Sequence, residues 1–308
     1  MTPKYRLVTR SDFDGLVCAV LLRKLDLIDE IKFVHPKDMQ DGKVPISDRD
    51  ITTNLPYVEG AHLAFDHHSS ETLRVGQHDN HVIDPHAASA ARVVYRHYGG
   101  KERFPDISDE MMDAVDKADS AQFSMQEILD PSGWVLLNYV MDARTGLGRF
   151  RDFRISNYDL MMKLIDACIA LPVADILRLP DVAERVDLYD AHEHLFQDQI
   201  QRCATVHGKL IVLDLRGEET IFAGNRFVIY ALFPACNISI HVMWGLKKQN
   251  TVMATGKSIL DRSSRTDVGA LMLRHGGGGH EAAGTCQVDN DRAEAVLAEL
   301  IHQINADG

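Results

Sequence analysis

Residues 9–16 read TRSDFDGL and stand between two apolar runs, KYRLV at 4–8 and VCAVLL at 17–22. A short run with β-forming residues, a turn, then a longer apolar run is the opening of a strand–turn–helix unit. The turn carries more than a turn needs. Asp12 and Asp14 bring two carboxylates together, and Arg10 stands two residues before the first of them. Working outward, IKFVH, DITTN, HLAFD and HVID repeat the strand pattern, each followed by a turn or a helical run. The helical runs are GLVCAVLLRKL, AASAARVVYRHY at 87–98 and SDEMMDAVDKAD at 108–119, the last opened by a serine suited to N-capping. Alternation of this kind predicts an α/β domain on a parallel sheet.

From about 124 to 204 the pattern turns helical, with NYDLMMKLIDACIA and PDVAERVDLYDAHEHLFQDQIQRCA as the clearest runs. A second β-rich block follows: KLIVLDL, FVIYALF, NISIHVMW and TVMATG, then a helix near 266–275, a glycine run, and a last helix through RAEAVLAELIHQI. The expected division is a first domain over 1–190, a connecting helix over 191–205 and a smaller α/β domain with a mixed sheet over 206–308. Two domains suit a chain of 308 residues.

Composition narrows the function classes. Hydrophobic residues at 45% and charged residues at 25% are globular values, not disordered ones. No apolar run reaches membrane-spanning length, and the first residues, MTPKYRLVTRSDFDG, lack the apolar core of a signal peptide. A cytoplasmic protein without a membrane partner is expected. The five cysteines are scattered and free of CxxC spacing, so they suggest reduced thiols rather than a zinc site or disulfides. A formal charge of -12 argues against long duplex nucleic acid, which needs clustered Lys and Arg. A phosphorylated substrate would need a locally cationic site.

Parallel sheets bind ligands beyond the carboxyl ends of their strands. That is where Asp12 and Asp14, then Asp66, His67 and His68, then Asp84, fall, while Asp119 closes a helix further on. Acidic groups converging on one crevice repel each other unless they take up protons or a cation neutralises them. Several carboxylates with one imidazole suit magnesium or manganese. Two such ions about 3.5 to 4 Å apart form a clamp for in-line phosphoryl displacement.

DFDG at 12–15, DHH at 66–68, the aspartate of KADSAQF at 117–123, and GGGGHEAAG at 276–284 together resemble the DHH phosphoesterase family, closest to its RecJ-like and exopolyphosphatase-related branch. The resemblance spans nearly the whole chain. It implies a doubly wound DHH domain followed by a DHH-associated substrate domain, and one or two manganese or magnesium ions. Asp12 would serve one ion and Asp14, His67 and Asp119 the other, with Asp66 orienting His67. His68 would face the substrate phosphate as donor or acid. Gly277, Gly278, Gly279 and His280, with Lys257, would hold substrate from the second domain. The substrate would be small or terminal: a short oligonucleotide, a dinucleotide, a phosphonucleotide or polyphosphate. The oligomeric state stays open, a homodimer among the options.

Two positions depart from the family pattern. Arg10 stands where such proteins commonly place a metal-binding histidine, and Asn54 where they place a bridging aspartate. Asp50 is the nearest acidic substitute, but four residues of extended strand put it about 13 Å from Asn54. A guanidinium about 5 Å from a divalent ion costs on the order of 6 kcal/mol at an effective dielectric near 20. Arg10 is therefore expected either to replace an ion as a fixed charge on phosphate or to form a salt bridge with Asp12. A non-catalytic phosphate-binding protein is the competing reading. The GKS of TVMATGKS is not a P-loop, because Thr251 occupies the position of its first glycine. The basic run Arg144, Arg149, Arg151 and Arg154 reads as a solvated surface or, more sharply, as a phosphate-lined wall. His78, His81 and His86 lack ligand spacing.

Overall fold

The computed structural model describes residues 4–150 and 152–308, which divide into two compact units. The first runs from the amino terminus to Phe123 and includes Pro131–Ala143 and Leu147–Leu188; the second comprises Ser124–Asp130, Arg144–Gly146 and Tyr189–Gly308. The helix expected over 191–205 begins earlier, spanning Pro180–Cys203, and the division falls within it. Pro180 explains the early start, since a proline at the first helical turn gives up an N–H that had no partner there.

Five strands build the first unit: β1 (Tyr5–Arg10), β2 (Ile28–Val34), β3 (Asp50–Thr53), β4 (Leu63–Asp66) and β5 (His81–Ile83). All neighbours pair in parallel, in the order β2-β1-β3-β4-β5. The order reverses between β1 and β3, which makes their carboxyl ends the switch point where such sheets form a crevice. The register sets Thr9 opposite Thr53, and their buried hydroxyls bond each other at 2.7 Å. Arg10 and Asn54 therefore leave the sheet side by side.

Helix α1 (Phe13–Lys24) is buried from Phe13 to Leu22. Its apolar residues surround it on all sides, as suits a central helix, and it packs against helices Ala90–His97, Asp109–Asp119 and Asn157–Ala170. Its entry is tight: a Cβ on Gly15 would lie 2.0 Å from the Arg10 carbonyl oxygen. Only glycine lets the strand end and the helix start approach so closely.

The second unit holds a six-stranded mixed sheet. Its strands are β6 (Ala204–His207), β7 (Leu210–Asp214), β8 (Ile238–Trp244), β9 (Thr251–Lys257), β10 (Gly278–His280) and β11 (Ala283–Val288). The order is β10-β11-β9-β8-β7-β6, and only β7 and β8 run parallel. The run FVIYALF, read as a strand, is the helix Val228–Leu232. Short apolar runs carry no period that separates a buried strand from a buried helix. Here the Asn225 side chain accepts the Phe227 N–H just before the helix begins. Among the described residues, no helix is long and apolar enough to cross a membrane.

Candidate active site

The acidic turn after β1 produces two carboxylates with different surroundings. Asp12 is the N-cap of α1, where its Oδ1 accepts the Gly15 N–H at 2.9 Å. Asn54 Nδ2 donates to both its oxygens, at 3.2 and 3.4 Å. Arg10 Nε lies 2.9 Å from Oδ2. Asp14 sits one step inside the helix and is 2% exposed. Its oxygens accept the N–H groups of Ala90 and Ala91 at 2.9 and 2.7 Å. Those are orphan donors of the helix that Ser89 caps, so a buried carboxylate there is favoured by the positive end of the helix.

The ligand atoms of Asp14, His67 and Asp119 lie within 4.8 Å of one another. His67 follows β4, and Asp119 ends the helix Asp109–Asp119. His67 Nε2 is 2.9 Å from Asp119 Oδ2, yet it is buried without the alignment of a hydrogen bond. Two carboxylates and an imidazole that meet within 4.8 Å form a donor set that a cation can hold together. Burial, with the charges of Asp119 and Asp12 behind it, pushes the Asp14 carboxyl well above the usual carboxylate range. Burial would lower His67, but Asp119 and Asp14 outweigh it and lift the imidazole to about 9. A cation answers both demands, and two carboxylates with an imidazole fit magnesium or manganese.

The expectation for Asp66 needs correction. Asp66 does not orient His67: its Oδ1 meets His68 Nδ1 at 2.7 Å and accepts the backbone N–H groups of His67 and His68. His67 Nδ1 faces the Ala87 carbonyl at 3.3 Å instead. Asp66 and His68 share one face because the backbone stays extended past β4, where residues two apart point to the same side. Asp12 stands outside the ion-binding trio, held by Arg10 and Asn54. Asp50 is no substitute ligand, as its distance along the strand implied: buried at the other end of β3, its carboxylate takes Arg6 Nε at 2.6 Å and the Ser47 N–H at 2.7 Å.

In the second unit, β10 and β11 form the hairpin of the glycine run. A Cβ on Gly277 would lie 2.1 Å from the Thr285 carbonyl oxygen, and one on Gly279 2.3 Å from that of Ala283. Those glycines are required by the hairpin itself, whereas Gly278 has open space. His280 is exposed, with Nδ1 accepting the Ala282 N–H. Lys257 pairs with Glu281 at 3.2 Å. The basic run does not form one cationic wall within a unit. Arg144 belongs to the second unit and Arg149 and Arg154 to the first, and Arg154 lies 3.9 Å from Asp181. Arg151 lies outside the described residues. The signal that sequence reasoning missed is the pair of backbone donors at Ala90 and Ala91; the Ser89 cap, three residues before Arg92, could have located them.

The chain is 66% identical to a pGpG-specific phosphodiesterase, PggH, from Vibrio cholerae, across 99% of this chain and 100% of that one, with a TM-score of 0.88. It is similar in fold to RecJ of Thermus thermophilus in complex with Mn2+, at 14% identity, 99% of this chain, 52% of that chain and a TM-score of 0.52. The Mg2+ complex of that protein gives 14% identity, 99% and 50% coverage, and a TM-score of 0.50. No family model and no curated protein matches the chain. The fold, the strand-end cluster and the first of these likenesses place the chain in the DHH phosphoesterase family. It is a phosphohydrolase acting on a small phosphorylated substrate. A binding protein without turnover, the competing reading, is set aside by that relationship.

Proposed function

We propose that this phosphohydrolase cleaves a linear dinucleotide of the pGpG type to two mononucleotides, using a divalent ion held by Asp14, His67 and Asp119. The observation that carries the reading is this converging trio in a chain 66% identical, end to end, to a pGpG-specific phosphodiesterase. An ion bound there supplies Lewis acidity and a water acidic enough to attack at neutral pH. Water adds to phosphorus as the bond to the 3′ oxygen breaks, and that oxygen leaves with a proton. His68 is positioned to give it. Asp66 holds His68 Nδ1, so the other ring nitrogen is the one that meets substrate, and the side chain is 44% exposed. The second unit offers His280 and Lys257 to the same class of ligand, with Gly278 leaving open space on the hairpin. Manganese or magnesium fits the donor set.

The test is chromatographic: purified chain with manganese, given pGpG, a five-nucleotide RNA, a chromogenic phosphodiester and polyphosphate. GMP release from pGpG at the highest kcat/KM is expected. Turnover of polyphosphate with none of pGpG would replace the dinucleotide reading by the polyphosphate one.

A further inference from the structure

An amide has two unlike ends, and Asn54 uses them differently. Its Nδ2 faces both oxygens of Asp12, while its buried Oδ1 has no hydrogen-bond partner among the described residues. The opposite assignment would put an amide oxygen against a carboxylate, so the donor end must face Asp12. A cation cannot sit where N–H donors point. The Arg10 guanidinium also stands 2.9 Å from its Oδ2, and the Gly15 N–H donates to its Oδ1. Asp12 thus meets a cation from β1 and N–H donors from α1 and from the residue after β3. Asp14, two residues on, meets among the described residues only backbone N–H groups and the weak donor Cys18 Sγ at 3.9 Å.

Asn54 is held in this pose by its backbone. It has φ of 53°, in the left-handed region that asparagine tolerates better than most residues, and its N–H donates to the Phe65 carbonyl at 3.1 Å. Asn54 is 1% exposed, so its amide does not turn freely in solvent.

From this geometry we infer that the centre holds a single ion, at Asp14, His67 and Asp119, and that Arg10, clamped by Asp12 and Asn54, supplies the second positive charge to the substrate phosphate. The inference rests on the proposed metal-assisted hydrolysis and specifies how its charge is arranged. Asn54 Oδ1 is the acceptor left over by the clamp. Arg10 sets Nε 2.9 Å from Asp12 Oδ2 as an ion pair, and among the described residues its two Nη groups make no hydrogen bond. With 35% of its side chain exposed, it remains accessible. The two Nη groups form a planar fork that matches two non-bridging phosphate oxygens. A fixed guanidinium needs no ion concentration to be in place, so phosphate binding is separable from metal binding.

The experiment counts manganese per chain by equilibrium dialysis and metal analysis, on the full-length protein. One ion is expected in the parent chain and in Asp12→Asn, none in Asp119→Asn, and two in the double variant Arg10→His, Asn54→Asp. Two ions in the parent, falling to one in Asp12→Asn, would overturn the single-ion inference while leaving metal-assisted hydrolysis intact. No ion in the parent would overturn both. The second readout is pGpG binding in EDTA by calorimetry, with folding of each variant verified by circular dichroism. Arg10→Met is expected to weaken binding about tenfold or more, with Arg10→Lys intermediate because a lysine cannot reproduce the fork. Equal affinity in all three, or no binding by the parent, would overturn the role given to Arg10.

Discussion

Asp12 and Asp14 are the same residue type, two positions apart on the same helix start, and they are built for different work. Asp12 is paired with a guanidinium and accepts N–H groups from an amide and from the helix it caps. Asp14 is buried, receives two backbone N–H groups and a thiol, and lies beside His67 and Asp119. Spacing alone makes the two look like one paired ligand set. What separates them is the identity of the groups two other strands deliver: Asn54 from the end of β3 and His67 from the end of β4. A carboxylate's role follows from who donates to it.

The comparison breaks most sharply at His67. Replacing it with alanine removes the only imidazole of the trio, and activity with manganese should fall by more than the roughly 10- to 100-fold typical of losing a supporting group. The counterpart on the Asp12 side, Asn54→Ala, should leave manganese affinity nearly unchanged, which titration calorimetry would show. Asp66→Asn comes next. It frees His68 without touching the ion, so kcat should drop about 10- to 100-fold with the manganese requirement intact.

Stability against pH gives a further test. Without metal, His67 is raised from 6.5 to about 9, and Asp14 is raised as well. Both groups bind protons more tightly folded than unfolded, so the stability they contribute is lost as pH rises. For His67 that stability is complete below 6.5 and gone above about 9. Thermal unfolding in EDTA should therefore show a melting temperature that falls across this window, and falls less in Asp119→Asn. The smallest effect is expected at Cys18, whose Sγ only grazes Asp14 at 3.9 Å. Cys18→Ala should cost about 1 kcal/mol of stability, read from denaturant unfolding, and leave metal binding in place.

Much of this was legible in the letters. The five strands of the first unit and the helix 109–119 follow from alternating apolar runs, turn residues and a capping serine, which are local signals. The acidic and histidine residues at strand ends were legible because a parallel sheet gathers its carboxyl ends on one edge. What stayed hidden depends on groups without a letter of their own. The N–H groups of Ala90 and Ala91, which hold Asp14, are backbone. The direction of the Asn54 amide is set by a left-handed backbone and by Asp12. The assignment of residues 124–130 and 144–146 to the second unit is likewise tertiary, since nothing in their composition separates them from their neighbours.

The most direct test is anomalous diffraction from crystals grown with manganese. The account predicts one peak, within bonding distance of Asp14, His67 and Asp119, with Asp12 still paired to Arg10. A peak bonded to Asp12, or none beside the trio, would contradict it.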